Sequence, residues 1–197
     1  MSVDTSLVKQ LRESTGAGFL DCQKALSQSG GDLAKAVEYL RQKGLAAAQK
    51  KAGRETKDGL VGSYIHAGGK LGVLIEVNCE TDFVAKTPDF QDLARDLAMQ
   101  VAAANPSFVR REDAPSEVVD QERRVFEGQA KESGKPQPVW EKIVAGRLEK
   151  YYAESCLLEQ TFVKDPALTI NDLIAQKIAK LGENISVRRF ARFRLGD

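Results

Sequence analysis

Apolar side chains near the start of the chain recur at helical spacing in three short stretches that glycines separate. Asp4 or Thr5 can cap the first helix, and the glycines of residues 15–18 allow a tight reversal before the second. Asp32 can cap the third helix. This pattern predicts a small three-helix bundle. Its expected apolar stripes are Val3, Leu7, Val8 and Leu11; Phe19, Cys22, Ala25 and Leu26; and Leu33, Ala36, Val37 and Leu40.

The turn Gly16-Ala17-Gly18 between the first two predicted helices can be compared with phosphate-binding loops. No Gly-Lys-Ser/Thr follows it, as in a Walker A loop, and no strand precedes it, as in a dinucleotide-binding loop. A helix–helix turn is therefore the better interpretation. The arrangement resembles ubiquitin-associated bundles, whose Gly-aromatic loop between the first two helices docks a partner. Phe19 and Leu20 would lie on that edge.

The segment after the bundle, residues 44–58, is rich in Ala and Lys and is predicted to be a fraying helix end followed by a linker. Its cations could contact phosphate, but a solvated tether suits this composition better. We therefore place a domain boundary near Gly53 and predict two domains, residues 1–54 and residues 55–197.

The second predicted domain begins with the alternation that is typical of a β-hairpin. Strands at residues 59–67 and 70–78 flank Gly68-Gly69, and a helix follows from Pro88 to Asn105. The positions expected to face the core are Leu71, Val73, Ile75 and Val77 in the second strand and Phe90, Leu93, Ala94, Leu97, Ala98, Val101 and Ala102 in the helix.

Helical patterns fill residues 116–132, 138–155 and 171–182, and the chain closes on an alternating strand at residues 185–195. An arginine-lined face of that strand could hold phosphate, or acidic helices could cover it. We predict an α+β fold, with a small N-terminal three-helix, ubiquitin-associated-like bundle and then an antiparallel sheet packed with helices. The predicted apolar positions are Val118, Val119, Val125 and Phe126 in the first of these helices, Trp140, Ile143, Val144, Leu148 and Tyr151 in the second, and Ile185, Val187, Ala191, Phe193 and Leu195 in the strand, opposite Arg188, Arg192 and Arg194.

Thr81, Asp82, Phe83 and Val84 form a turn between the predicted hairpin and the helix that follows it, and they belong to neither element. We call these four residues the Phe83 turn. Asp82 and the large aromatic Phe83 fit neither the alternation of the preceding strand nor the apolar spacing of the following helix. Phe83 could cap the edge of the core where the strand turns into the helix. It could instead be a wedge offered to a partner, and the turn by itself leaves both interpretations open.

Charge and composition narrow the class of protein. The 29 Lys and Arg residues almost balance the 28 Asp and Glu residues, for a formal net charge of +1. A protein that mainly binds nucleic acid usually has a basic excess, so no direct nucleic-acid partner is expected. No apolar run approaches the length of a membrane span, the start lacks a signal-peptide pattern, and three scattered cysteines suit a reducing compartment. We expect a cytoplasmic protein that does not bind a membrane.

Candidate catalytic chemistry is sparse. The single histidine, His66, falls in a predicted strand with no cysteine close to it in sequence. Glu76, Glu80 and Asp82 alternate along one strand edge, but oxygen-rich metal loops normally bring more ligands and a glycine turn. No nucleophile elbow, Walker loop, zinc spacing or kinase motif is present. We therefore expect a binding protein rather than an enzyme, with no metal or cofactor of its own.

Three stretches together identify the chain as resembling one family, bacterial elongation factor Ts, over essentially its whole length. The short length resembles the short form of that family. The stretches are Leu7-Val8-Lys9-Gln10-Leu11-Arg12-Glu13 with Thr15-Gly16-Ala17-Gly18 and Asp21-Cys22-Gln23-Lys24-Ala25-Leu26; Val77-Asn78-Cys79-Glu80-Thr81-Asp82-Phe83-Val84-Ala85; and Gly182-Glu183-Asn184-Ile185 with Val187-Arg188-Arg189-Phe190.

The resemblance implies guanine-nucleotide exchange on elongation factor Tu, the GTPase that delivers aminoacyl-tRNA to the ribosome. The N-terminal bundle would dock on the nucleotide domain through Arg12, Phe19 and Leu20; many relatives carry Met-Met in place of Phe19-Leu20. The Phe83 turn would enter near the Mg²⁺ site, with Phe83 wedging between helices and Asp82 disturbing the groups that hold the ion.

The resemblance also implies a homodimer and a 2:2 complex, because longer relatives carry a second, related half that this chain lacks. From a different class, an adaptor could use a ubiquitin-associated-like bundle to bind a chaperone or a ubiquitin-like partner. That alternative gives the Phe83 turn no task. A further alternative is RNA binding by the arginines of the last strand, in which case the affinity for RNA would depend steeply on salt concentration. The near-neutral net charge argues against this alternative.

Overall fold

The computed structural model describes residues 4–134 and 136–196, so Val3 lies outside the described residues. Helices and strands of an α+β protein follow one another along this part of the chain, which confirms the predicted fold class. The helices are α1 (Thr5–Thr15), α2 (Phe19–Gln28), α3 (Leu33–Lys51), α4 (Asp82–Ala85), α5 (Pro88–Ala104), α6 (Ser116–Glu132), α7 (Gln137–Ser155) and α8 (Ile170–Leu181). The strands are β1 (Asp58–Ile65), β2 (Leu71–Cys79), β3 (Thr161–Phe162), β4 (Asp165–Thr169) and β5 (Ile185–Arg194).

The chain divides into two compact units that interleave in sequence. The first contains the described chain up to Gly62, Glu76–Arg95 and Asn171–Val187, and the second contains Ser63–Ile75, Asp96–Ile170 and the described chain from Arg188 onward. The division into functional domains 1–54 and 55–197 stays a prediction.

Within the first unit, α1, α2 and α3 form the predicted bundle. Asp4 caps α1 by accepting a hydrogen bond from the Ser6 N–H (2.9 Å), and Asp32 caps α3 through the Lys35 N–H (3.1 Å). Gly16 ends α1 at a φ of 67°, a left-handed conformation that glycine adopts without strain. The buried core is Val8, Leu11, Cys22, Ala25, Leu26 and Ala36.

Two residues of the predicted apolar stripes, Phe19 and Val37, are exposed. Val37 follows the buried Ala36, and successive helical residues point about 100° apart. A bundle this small covers only a narrow stripe of each helix. Phe19 is the first residue of α2 and lies at the end of its stripe.

Helix α3 runs to Lys51, well into the segment that was predicted as a fraying end and linker. Contacts with α8 explain its length. Arg41 Nε lies 3.2 Å from Asp172 Oδ1, and Lys51 Nζ donates to the Ile178 carbonyl at 3.5 Å. A Cβ on Gly44 would stand 3.7 Å from the carbonyl oxygen of Ala175, so the glycine allows close approach of the two helices.

A three-stranded sheet has the order β1-β2-β5, with β2 in the centre. Val73, Ile75 and Val77 are buried along β2, as the alternation predicted, whereas Leu71 at the start of the predicted face is only partly covered. Cys79 continues the buried face, and the whole predicted stripe of α5 is buried as well. The β1–β2 turn begins at His66, whose N–H donates to the Leu71 carbonyl at 2.8 Å. His66 therefore belongs to the turn rather than to the strand in which it was predicted.

Burial along β5 does not follow the predicted single face. Ile185 and Val187 are buried, but Ala191 and Phe193 are exposed, while Phe190 and Arg192 are partly covered. The covered side of the strand thus changes by one residue between Val187 and Phe190. A one-residue change in phase moves every later side chain to the opposite face. Leu195, beyond the end of β5, is also exposed.

In the second unit, α6 and α7 pack against each other. Ala130, Val144 and Leu148 are the buried residues of their shared cluster, whereas Val118 and Val125 on α6 are exposed, contrary to the predicted stripe. The short antiparallel pair of β3 and β4 was not predicted, because strands of two and five residues show too little alternation.

Candidate functional site

The Phe83 turn contains a single helical turn, α4, where the sequence indicated no regular element. Phe83 is 80% exposed, and Ala85, two residues later, is buried. Two helical residues at this spacing point about 200° apart, so α4 places Ala85 inward and Phe83 outward. Such exposure excludes Phe83 as a cap on the edge of the core in this structure.

Hydrogen bonds anchor α4 at its carboxyl end. The Thr87 hydroxyl donates to the Val84 carbonyl at 2.7 Å, and the Lys86 N–H donates to the Asp82 carbonyl at 3.1 Å. Thr87 Oγ1 also accepts the Phe90 N–H at 3.3 Å, which caps α5. The turn is therefore joined directly to the start of a helix whose apolar stripe is fully buried.

The amino end of α4 is tied to the loop between α8 and β5. Glu183 Oε2 accepts the Glu80 N–H (3.1 Å) and the Thr81 N–H (3.0 Å), and Glu183 Oε1 accepts the Thr81 hydroxyl (2.6 Å). In the opposite direction, Glu80 Oε1 accepts the Asn184 N–H at 2.6 Å. The local sequence at Glu183 and Asn184 matches a family motif but carries no pattern that indicates these hydrogen bonds.

Asp82 forms an ion pair with Lys86, with 2.5 Å between Oδ2 and Nζ. The hydrogen bond from Lys86 lowers the pKa of Asp82, and the Asp82 carboxylate raises the pKa of Lys86. Both groups are therefore charged at neutral pH. The acid lies beside Phe83 with its charge balanced by a lysine one helical turn away.

The second set of predicted site residues lies on the N-terminal bundle. Leu20 is 76% exposed and Phe19 48% exposed at the start of α2, immediately after the turn that Gly16 begins. Arg12 is exposed in the last turn of α1. Two large apolar side chains at the start of α2 and a cation in the last turn of α1 thus remain uncovered, on two helices that share a core containing Leu11 and Cys22.

Cys79 is buried directly before the Phe83 turn, and its thiol donates to the Thr81 carbonyl at 3.1 Å. Burial, with a smaller contribution from Glu183, raises the pKa of Cys79 to about 11. The thiolate, which is the nucleophile and the metal ligand, is therefore suppressed at neutral pH. Cys79 acts here as a small apolar side chain with a hydrogen bond.

Over residues 4–134 and 136–196, no cluster of three or more His, Cys, Asp or Glu side chains has the arrangement of a metal site. Within the same residues, none of the helices combines the length and the apolar character that crossing a membrane requires.

The chain matches the family model described as "Elongation factor TS" over residues 46–197. It is 62% identical over 190 residues to elongation factor Ts of Moorella thermoacetica, and the aligned region covers 96% of this chain and 94% of the relative. It is 59% identical over 195 residues to elongation factor Ts of Carboxydothermus hydrogenoformans, covering 99% and 90%, and 57% identical over 197 residues to that of Citrifermentans bemidjiense, covering 100% and 91%. The chain belongs to the elongation factor Ts family.

Proposed function

We propose that the chain is a guanine-nucleotide exchange factor for elongation factor Tu, and that it promotes GDP release by inserting the Phe83 turn near the Mg²⁺ and phosphate site. The observation that carries this proposal is the exposure of Phe83 on a turn that is anchored at both ends. Burial of a Phe side chain on a partner is worth about 1.5–3 kcal/mol. A turn that is already ordered loses little conformational entropy when it docks.

The binding energy would be used to disturb the nucleotide site. GDP bound to a GTPase depends on Mg²⁺ to balance the phosphate charge and on backbone N–H groups that surround the phosphates. A wedge that shifts these groups weakens nucleotide binding, and the coupling is reciprocal, so nucleotide also weakens binding of the exchange factor. The protein would make and break no covalent bond.

Asp82 would act beside Phe83 through its charge. A carboxylate brought close to the Mg²⁺ site competes with the groups that hold the ion. Asp82 is ionised at neutral pH, and the hydrogen bond from Lys86 lowers its pKa further. The exposed Lys86 side chain can move away without unfolding α4. Thr81 and Val84 hold the ends of the turn through their own hydrogen bonds.

Phe83 alone is too small to offset tight GDP binding, so a second contact has to contribute. We assign it to the edge of the N-terminal bundle, where Leu20 and Phe19 offer uncovered apolar surface and Arg12 a charge. The bundle would dock on the nucleotide domain and hold the partner while the Phe83 turn acts.

The test is the rate at which elongation factor Tu releases a fluorescent GDP analogue, measured with the unmodified protein and with Phe83→Ala. Loss of the buried Phe should slow catalysed release about 10- to 100-fold. Val61→Ala removes another exposed apolar side chain of the same unit and serves as the control. Release with Phe83→Ala as fast as with the unmodified protein would disprove the wedge, and no acceleration by the unmodified protein would disprove the exchange function.

The exposed bundle edge also suits the adaptor alternative, in which it would bind a chaperone or a ubiquitin-like protein. A pull-down from cell extract separates the two functions. An exchange factor should retain one dominant GTP-binding protein, released by added GDP, whereas an adaptor should retain a mixed set of clients that GDP does not release.

We further propose that the protein works in the cytoplasm as a homodimer, giving a 2:2 complex with elongation factor Tu. Support comes from the second unit, in which Ile65, Leu74 and Phe193 are large apolar side chains exposed on strands of the sheet. A Cβ on Gly72 would stand 2.9 Å from Ile65 Cδ1, so Ile65 lies over Gly72 on the same face as Leu74. A second copy would cover this face.

A further inference from the structure

We propose that Glu183 is a positioning residue for nucleotide exchange: it fixes the direction in which the Phe83 turn leaves the protein. The proposal rests on the exchange function above and adds to it a residue that would not touch the partner. Glu183 lies about a hundred positions from the turn in sequence, on the loop between α8 and β5, and belongs to the same compact unit.

Glu183 satisfies three donors at the one place where the strand ends and the turn begins. Its carboxylate accepts both free backbone N–H groups there, those of Glu80 and Thr81, and also the Thr81 hydroxyl. A carboxylate that accepts several hydrogen bonds at 2.6–3.1 Å allows its donors little freedom to rotate. The backbone from which Phe83 projects two residues later is therefore fixed.

A return set of hydrogen bonds makes the connection reciprocal. Glu80 Oε1 accepts the Asn184 N–H at 2.6 Å and lies 3.4 Å from Arg54 Nη1. The Asn184 side-chain amide, which is buried, donates to the Arg54 carbonyl at 2.8 Å. Three segments distant in sequence, at Arg54, Glu80 and Glu183, thus hold one another; we call this set the Glu183 clamp.

The turn needs such a clamp because α4 is too short to hold its own direction. An isolated helical turn is unstable in water, since nucleation fixes several residues for one hydrogen bond. A wedge acts on its partner only when it enters at the correct angle, and a displacement of about 1 Å can cost as much as 100-fold in rate. Loss of the clamp should therefore impair exchange while Phe83 itself remains in place.

The experiment is a double-mutant cycle on GDP release from elongation factor Tu, with Glu183→Ala, Phe83→Ala and both changes together. Glu183→Ala should slow catalysed release about tenfold, because hydrogen bonds to a charged group are lost. In the Phe83→Ala background the same change should have less than about a twofold effect, since residues that act through one another are not additive. Independent effects that multiply would overturn the proposal.

Glu183→Gln is the rescue variant. Its carboxamide oxygen can accept both backbone N–H groups, as Oε2 does, and its NH₂ group can donate to the Thr81 hydroxyl. It should retain release within about threefold of the unmodified protein. Asp172→Ala is the matched control, since it removes another carboxylate that joins two segments of the same unit through Arg41. An equal loss in Asp172→Ala would show general destabilisation and overturn the proposal.

Amide hydrogen exchange tests the clamp without relying on the exchange function. The Glu80 and Thr81 amides should be protected in the unmodified protein and in Glu183→Gln, and should exchange at least about tenfold faster in Glu183→Ala. If Glu183→Ala does not fold, Thr81→Val removes one donor and should slow GDP release about threefold. Normal release with Glu183→Ala or Thr81→Val, while Phe83→Ala is slow, would refute the positioning role and leave the proposed function standing.

Discussion

At the scale of single residues, the Phe83 turn combines one exposed and one buried side chain within a single helical turn. Ala85 is small enough to be buried under the backbone of α4, and Phe83, on the opposite side, projects into solvent. The sequence indicated an aromatic residue out of period but left its orientation open, because a Phe at this place could have capped the core. Orientation depends on α4, which is too short to leave a periodic signal.

Gly59 in β1 carries the sharpest steric constraint among the described glycines. Its φ is 151°, and a Cβ built on it would stand 2.2 Å from the carbonyl oxygen of Val77 in β2. We expect Gly59→Ala to lower the free energy of unfolding by about 2 kcal/mol or more, because the backbone of the central strand would have to move. Urea denaturation followed by circular dichroism measures the change.

Gly72→Ala is the control for that substitution. The added Cβ would come too close to the Cδ1 atom of Ile65, the end of a flexible side chain at 2.9 Å, whereas the Tyr64 carbonyl oxygen at 4.0 Å is an ordinary contact. The cost should be clearly smaller, below about 1 kcal/mol, because Ile65 is exposed and can change rotamer. Equal losses at both positions would contradict the steric explanation for Gly59.

At the scale of elements, sequence patterns succeeded where one face of a regular element is covered throughout. The whole stripe of α5 is buried as predicted, and β2 alternates as predicted. Prediction failed in β5, where the covered face changes between Val187 and Phe190. It also placed the fraying of α3 too early, because contacts with α8 extend this helix to Lys51. Neither cause is visible in the local sequence, since both depend on neighbouring elements.

The junction of α5 and α8 supplies a test of pH dependence. Asp89, at the start of α5, accepts hydrogen bonds from Lys180 Nζ (2.7 Å) and Lys177 Nζ (2.9 Å). Both lysines lower the pKa of Asp89 below its ordinary value of 3.8. A carboxyl whose pKa is lower in the folded state stabilises the fold above its unfolded pKa, and this contribution is lost as the pH falls through the folded pKa.

Asp89→Asn should therefore lower Tm most at neutral pH, and the difference from the unmodified protein should shrink as the pH falls below 3.8. Thermal unfolding between pH 7 and about pH 2.5 measures the difference. Glu149→Gln is a comparison in the second unit, where Arg111 lowers the pKa of Glu149 in the same way. A Tm difference for Asp89→Asn that is constant over this range would rule out the ion pair as its source.

At the scale of the whole molecule, the features that suggest function are dispersed in sequence. The Glu183 clamp joins residues that lie 26 to 130 positions apart, so no local motif could indicate it. The Phe83 turn was singled out from residue chemistry, but its task came from resemblance to a family. A near-neutral charge and the lack of a catalytic motif indicated a binding protein without naming its partner. Sequence therefore located the turn, and the structure explains how it is held.

Dimerisation gives the prediction that belongs to the whole molecule. If a second copy covers the exposed apolar face of the second unit, the unmodified protein should be a dimer at micromolar concentration by light scattering. Leu74→Asp should yield monomers, because each interface would then bury two unpaired carboxylates. The variant should remain folded, since Leu74 is 48% exposed in one copy.

Val125→Asp is the matched control, because Val125 is 46% exposed in the same unit but lies on α6. This variant should stay dimeric. A strictly monomeric unmodified protein at micromolar concentration would contradict the dimer. If Val125→Asp dissociates the dimer and Leu74→Asp does not, the interface lies on α6 and not on the sheet. GDP release measured with the Leu74→Asp monomer then decides whether one copy suffices: a dimer-dependent factor should lose most of its catalysed release although its Phe83 turn is intact.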